Sequence, residues 1–186
     1  KNLCGLDYKI IGAEKIPKKK GIVFIKHSSV YELFVGLVLF SPSSWVAKYE
    51  LMYLPLFRKA IKVFGFIPVK RGFGKSEVSR VIRDGTARLG QGNWIVIFPE
   101  GTRVPHGETK RYGLSGALLA VGTSSNITPI AHNAGRYWGR RSLIKKKGSI
   151  VFSIGSQIST FGKSYDEINE EAKTWIDAET KRIDSL

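Results

Sequence analysis

The chain has 186 residues, 42% of them hydrophobic and 24% charged, which suits one folded domain with a sizeable core and excludes a disordered chain. Thirty Lys and Arg against 15 Asp and Glu leave a net charge of +15. That excess calls for an anionic partner, and at this level nucleic acid, an anionic membrane surface and a phosphorylated small molecule all stay open.

Strand-like and helix-like segments alternate from the start. Tyr8–Ile11 and Ile22–Ile25 read as strands separated by the turn Pro17-Lys18-Lys19-Lys20-Gly21. A helix over Val30–Phe40 follows, then a short strand at Trp45–Ala47. Val30–Phe40 is the longest apolar stretch, interrupted by Glu32 and stopped at Ser41-Pro42. It is shorter than the roughly 18–20 residues that span a bilayer and reads as a buried core helix. Leu51–Phe64 reads as helical in parts, broken at Pro55, and Phe66–Val69 as a strand. Val78, Val81, Ile82, Thr86 and Leu89 recur at helical spacing before Gly90 and Gly92. Trp94–Phe98 is a continuous apolar strand, Gly116–Val121 a short helix, and Ile127–Ala131 and Ile150–Ile154 are further strands. Ser164-Tyr165-Asp166-Glu167 is a capping box that opens a last helix, with Ile168, Ala172, Trp175, Ile176 and Ile183 turned inward. The alternation predicts an α/β fold, a single domain over residues 1–186 with a mixed, mostly covered β-sheet flanked by helices.

The single cysteine, Cys4, cannot close an internal disulfide, so a reducing compartment is the simpler expectation. The chain starts at Lys1, and a preceding membrane-anchoring segment is expected in the native protein. The run Arg136, Arg140, Arg141, Lys145, Lys146 and Lys147 holds no acidic residue. It reads as a solvated loop, or as membrane-facing cations if the substrate is a lipid.

Four clusters at strand ends carry the chemistry. His27-Ser28-Ser29-Val30-Tyr31-Glu32 follows the first central strand. With Ser29 as N-cap, Glu32 completes a Ser-x-x-Glu capping box, and His27 could be a satisfied core histidine. The functional reading has Glu32 hold one ring nitrogen of His27 so that the other acts as a general base on an alcohol. The two readings of Glu32 are compatible. Lys70-Arg71-Gly72 ends the Phe66–Val69 strand and suits phosphate binding, with Arg71 as a bidentate donor, although Arg71 alone reads more plainly as a solvated surface arginine. Phe98-Pro99-Glu100-Gly101-Thr102-Arg103 sends Glu100 and Arg103 off one strand end together, as a structural ion pair or, since both follow so apolar a strand, as part of a site. Ile127–Gly135 carries Pro129, which suggests an edge strand or a strand end, and His132, whose plainer reading is structural. His106 reads as a loop histidine.

Several familiar chemistries fail on spacing. Gly74-Lys75-Ser76 lacks the leading glycine of a nucleotide P-loop, since position 69 is Val69. Ser115 lacks the last glycine of a hydrolase elbow. The scattered histidines and lone cysteine give metal chemistry little support.

In this order and spacing the four clusters resemble the glycerolipid acyltransferase family over essentially the whole chain. The resemblance implies transfer of a fatty acyl group from acyl-coenzyme A or an acyl carrier protein to the free hydroxyl of lysophosphatidate. These donors are co-substrates, and no resident cofactor is expected. It makes His27 the general base and Glu32 its orienting acid. It assigns Arg71, Glu100, Gly101, Thr102 and Arg103, with Lys70, to the phosphorylated acceptor, and Pro129 and His132 to the acyl-donor side. It also implies work at the cytoplasmic face of the inner membrane, peripheral or N-terminally anchored, beside an anionic lipid surface. The Leu51–Lys59 stretch mixes apolar and cationic residues as interfacial segments do, and reads equally as an ordinary core helix. Two departures stand out: Glu32 replaces the family's usual aspartate, and Lys70 stands where an acidic residue is common.

Two rivals remain at this level. A basic nucleic-acid-binding module is motivated by the charge, but no reader motif or aromatic-basic interleaving supports it, and nucleic acid is not expected as a partner. The same fold could instead acylate glycerol-3-phosphate or another lysolipid.

Overall fold

The computed structural model describes residues 5–53, 65–70 and 74–186. Arg71, Cys4 and the 54–64 part of the Leu51–Phe64 segment, which includes most of the interfacial-looking stretch, lie outside the described residues.

Seven strands form one mixed sheet: β1 Leu6–Ile11, β2 Ile22–Ile25, β3 Ser43–Lys48, β4 Ile67–Val69, β5 Trp94–Ile97, β6 Ile127–His132 and β7 Gly148–Ile154. Their order is β1-β7-β6-β2-β5-β3-β4. All neighbours are parallel except β6 and β7. β2 and β5 are buried along their full length, which explains why they read as unbroken apolar runs and not as alternating ones. Ile22, Phe24, Ile95 and Ile97 face one cluster, while Val23, Ile25, Trp94 and Val96 face the other.

The first face is covered by α2 Gly74–Gly90, α3 Leu114–Gly122 and α5 Tyr165–Asp184. The second carries α1 Tyr31–Leu39 and the short α4 Ala134–Tyr137. Ser164 and Glu167 form the reciprocal capping box expected at the start of α5. Ile168, Ala172, Ile176 and Ile183 are buried beneath it, with Trp175 half-buried.

Three expectations need correction. Thr86 points outward and bonds back to Ile82 O at 2.7 Å. Gly85 takes the inward position because α2 lies so close to α3 that a Cβ there would stand 2.6 Å from Leu119 Cδ2. Nor is α1 a fully buried helix: it lies on the outside of the sheet, burying Glu32, Val35 and Gly36 while Phe34 and Val38 face outward. Finally, β6 is an interior strand, not an edge. Pro129 is tolerated there because it sits just beyond the β6–β7 pairing, which ends at Ile130↔Ile154. Its carbonyl accepts the Gly155 N–H, so the missing N–H faces the same side, in the gap between the end of that ladder and the antiparallel bridge Ile127↔Ile158.

Candidate active site

Parallel pairing decides where the clusters meet. β6, β2 and β5 are neighbours running the same way, so their carboxyl ends lie side by side, the usual place for a site in such sheets. The register pairs Phe24 with Ile97 and Ile25 with Ile130. Continued past the strand ends, it sets His27 between Glu100 and His132. β4, ending just before Lys70, belongs to the same parallel series beyond β3.

At the centre, His27 Nδ1 lies 2.8 Å from Glu32 Oε1. The Glu32 side chain is completely buried, whereas His27 keeps 17% of its side-chain surface exposed. Glu32 also accepts the N–H groups of Ser28 at 3.2 Å and of Ser29 at 3.0 and 2.9 Å. The carboxylate therefore receives donors from the turn and from the imidazole together. Burial is the main effect on it and pushes its pKa up to about 7, against the pull of His132 and the backbone N–H groups. With Nδ1–H donating to Glu32, the basic lone pair of His27 is on Nε2.

The helix start differs in detail from the expected box. The Ser29 hydroxyl accepts from the Tyr31 N–H at 3.2 Å, and Val30 occupies the N-cap position. Only the carboxylate half of the box forms, because the Glu32 side chain turns back to Ser28, Ser29 and His27.

Glu100 also turns inward. Its Oε2 accepts the His27 main-chain N–H at 3.1 Å, and its Oε1 lies 3.8 Å from Lys26 Nζ. Burial pushes its pKa up to about 7, opposed by Lys26 and raised further by Glu32. Instead of pointing at an acceptor phosphate with Arg103, this carboxylate supports the backbone of His27. Gly101 makes the exit turn: its φ is 66°, its N–H donates to Phe98 O at 2.9 Å, and it is exposed. Thr102 and Arg103 are half-buried, and Val104 N–H donates to His27 O at 2.7 Å, tying the turn to the His27 segment.

Lys70 donates its N–H to Glu77 Oε2 at 2.9 Å and places its ammonium 4.6 Å from the Tyr49 ring centroid. Pro129 and His132 are both fully enclosed. His132 Nδ1 accepts from Ala134 N–H at 3.2 Å, so its Nε2–H is the donor to Lys26 O at 2.6 Å. Burial holds its pKa below the ordinary histidine value, in keeping with this neutral tautomer. Both side chains are buried, and His132 is tied to the main chain of Lys26, the residue before His27. His106 is the loop histidine expected, 3.4 Å from Asp184 Oδ2.

Two residues were missed in the sequence. Lys26 is only 2% exposed and stands 3.7 Å from Asp177 Oδ1 as well as near Glu100. Phe98 stacks on the His27 ring at a centroid distance of 4.0 Å and an interplanar angle of 17°. Adjacency to His27 was the only sequence signal for Lys26, and a lysine at a strand end ordinarily faces water. A cavity of about 600 Å³ opens elsewhere, between Thr109–Tyr112 and the first turns of α5, and includes neither His27 nor Glu32.

The centre of the site is thus a histidine held by a buried carboxylate at the carboxyl ends of parallel strands. A family model described as Acyltransferase matches residues 7–133. A 1-acyl-sn-glycerol-3-phosphate acyltransferase of Pseudomonas aeruginosa is 35% identical over 177 residues, covering 94% of this chain and 69% of that protein. One from Borreliella burgdorferi is 23% identical over 187 residues, covering 99% and 74%. The crystal structure of the 1-acyl-sn-glycerophosphate (LPA) acyltransferase PlsC from Thermotoga maritima shares the fold, with a TM-score of 0.82 at 21% identity over 97% of this chain and 73% of that one. The chain belongs to the acyltransferase family and is an enzyme of that class.

Proposed function

We propose that this enzyme acylates lysophosphatidate, using acyl-coenzyme A or acyl carrier protein as donor and His27 as general base. The reading rests above all on the 2.8 Å contact between His27 Nδ1 and the buried Glu32, with the imidazole still partly open to solvent. The names of the Pseudomonas and Borreliella relatives supply the acceptor.

In the proposed reaction Nε2 of His27 takes the proton of the acceptor hydroxyl as its oxygen attacks the thioester carbonyl. The C–O bond forms, the C–S bond breaks, and the departing thiolate is protonated afterwards. No acyl-enzyme forms. Glu32 stabilises the imidazolium while the proton is held there. Arg103, Lys70, Gly101 and Thr102, together with Arg71, are proposed to receive the acceptor phosphate, arginine offering its two-pronged donor set. Glu100, Pro129 and His132 are proposed as positioning residues behind the base.

Acyl-coenzyme A offered with a panel of lysolipids, products identified by mass spectrometry, tests the reading. Phosphatidate formed from lysophosphatidate is the expected result; acylation of glycerol-3-phosphate or another lysolipid in its place overturns the acceptor. His27→Ala should lower turnover by on the order of 10²–10⁴ while leaving the fold intact. Near-native turnover in a folded His27→Ala protein removes the base from His27.

A further inference from the structure

We propose that the loop of residues 138–147 docks this enzyme on an anionic lipid surface, Leu143 and Ile144 entering the interface and the flanking cations binding headgroups. The purpose of such docking rests on the lipid acceptor proposed above.

Leu143 is 90% exposed and Ile144 77% exposed, two adjacent large apolar side chains at the tip of a loop. Exposure alone would leave their partner undefined. The Ser142 hydroxyl donates to Ile144 O at 2.8 Å, and the Lys145 ammonium donates to Leu143 O at 2.9 Å. Both tip carbonyls thus carry an internal donor, and an unsatisfied carbonyl is what most opposes moving backbone out of water. The two apolar side chains can then enter the interface while the Lys145 ammonium, at the base of the tip, stays level with the headgroups.

The base of the loop is held. Ser142 N–H donates to Gly139 O, and Lys146 N–H donates to Tyr137 O at 2.9 Å. Trp138 lies half-buried beneath the Lys145 ammonium, 4.8 Å from its ring centroid, the kind of aromatic that settles at a headgroup boundary. The loop springs from the same face of the sheet as α1, which leaves Phe34 and Val38 exposed.

Charge selects the partner. Arg140, Arg141, Lys145, Lys146 and Lys147 surround the tip, and between Glu108 and Asp166 the chain has no acidic residue. Each cation near an anionic leaflet adds to binding, and insertion of the apolar pair adds a salt-resistant part. A second copy of the chain is a poor occupant, since it would bring another +15 to the same place. The loop is also joined to the candidate site: Arg140 Nη1 donates to the carbonyl of Arg103 at 3.4 Å. Docking here would set the Arg103 turn beside the surface from which a lipid acceptor leaves.

The test is sedimentation of the 186-residue chain with vesicles of phosphatidylcholine, with and without phosphatidylglycerol. Leu143→Ser/Ile144→Ser should weaken partitioning onto the anionic vesicles by roughly a hundredfold, since two large apolar side chains lose their burial. Lys146→Gln/Lys147→Gln should weaken it by roughly thirtyfold on anionic vesicles and leave zwitterionic vesicles unaffected. Turnover on a soluble short-chain lysophosphatidate should match wild type in both. Vesicle partitioning unchanged by the serine pair overturns the proposal. So does a serine pair that loses self-association, or binding to an acidic carrier protein, while vesicle partitioning survives. If partitioning falls as expected but no lysolipid is acylated by any form, the docking surface stands and the proposed reaction falls.

Discussion

The main-chain N–H of His27 donates to Oε2 of Glu100 at 3.1 Å, joining two residues 73 positions apart in the chain. Through this bond the turn after β5 sets the height of the segment that carries His27. The same carboxylate faces Lys26 Nζ at 3.8 Å, so the support behind His27 is charged and buried.

Lys26 should therefore matter more to folding than an ordinary lysine. Lys26→Met leaves Glu100 and Asp177 without their shared cation and is expected to cost about 3–5 kcal/mol. Paired with Glu100→Gln, the loss should shrink well below the sum of the two single changes, because the uncompensated charge disappears with its partner. Urea unfolding of the four proteins checks this; additive losses would show that Lys26 and Glu100 do not act together.

Glu32 is expected to divide by substitution into orientation and reach. Glu32→Gln can offer an amide N–H to Nδ1 and so favour the wrong tautomer, with kcat falling on the order of 10²–10⁴. Glu32→Asp keeps the charge but shortens the arm to the imidazole, and roughly a hundredfold loss is expected from the displacement. Both should change KM far less than kcat. Steady-state kinetics on purified variants of native circular dichroism measures the split.

The pH dependence of stability has a definite sign. Burial pushes Glu32 and Glu100 from 4.5 to about 7 in the fold. Their contribution is complete below the unfolded value near 4.5 and is lost as pH rises through about 7. His132, lowered by burial from 6.5, acts oppositely: its contribution is present above 6.5 and is lost as pH falls. Glu100→Gln removes one of the two carboxyl titrations. Its stability relative to wild type should rise with pH across the window from 4.5 to about 7, by up to about 3 kcal/mol. Denaturant midpoints at both ends of that window test it, and a pH-independent difference would count against a proton taken up by Glu100.

Phe98 stacks on His27 at 4.0 Å and also approaches the Trp45 ring at 5.6 Å. Phe98→Leu keeps most of the apolar volume but removes the flat wall against the imidazole. Turnover is expected to fall roughly tenfold through looser positioning of the base, with a loss of stability of about 1 kcal/mol. A spectroscopic check is the His27 ring-proton shift, which should lose the shielding of the stacked ring.

The elements were largely legible because burial imposes period and composition. β2 and β5 are unbroken apolar runs since both faces are covered, and α5 announces itself through Ser164 and Glu167. Thr86 and Gly85 show where that reading stops: which of two neighbours faces inward depended on how closely Leu119 on another helix approached. Pro129 argues the same way. Its cost in a strand depends on which side the absent N–H faces, and only the end of the β6–β7 ladder decides that.

By itself the sequence determined which residue types stand at the strand ends: a histidine five positions before a glutamate, and a Pro-Glu-Gly turn leading to an arginine. Those are local facts, set by chain order and turn chemistry. Only the tertiary structure decided that Glu32 both holds His27 and accepts the N–H groups of Ser28 and Ser29. It also decided that Glu100 faces His27 instead of the solvent, with Lys26 buried between two carboxylates. The reason is register. Parallel neighbours bring residues 27, 100 and 132 together across a sheet, and long-range pairing of that kind leaves no mark on the spacing of residues along a single strand.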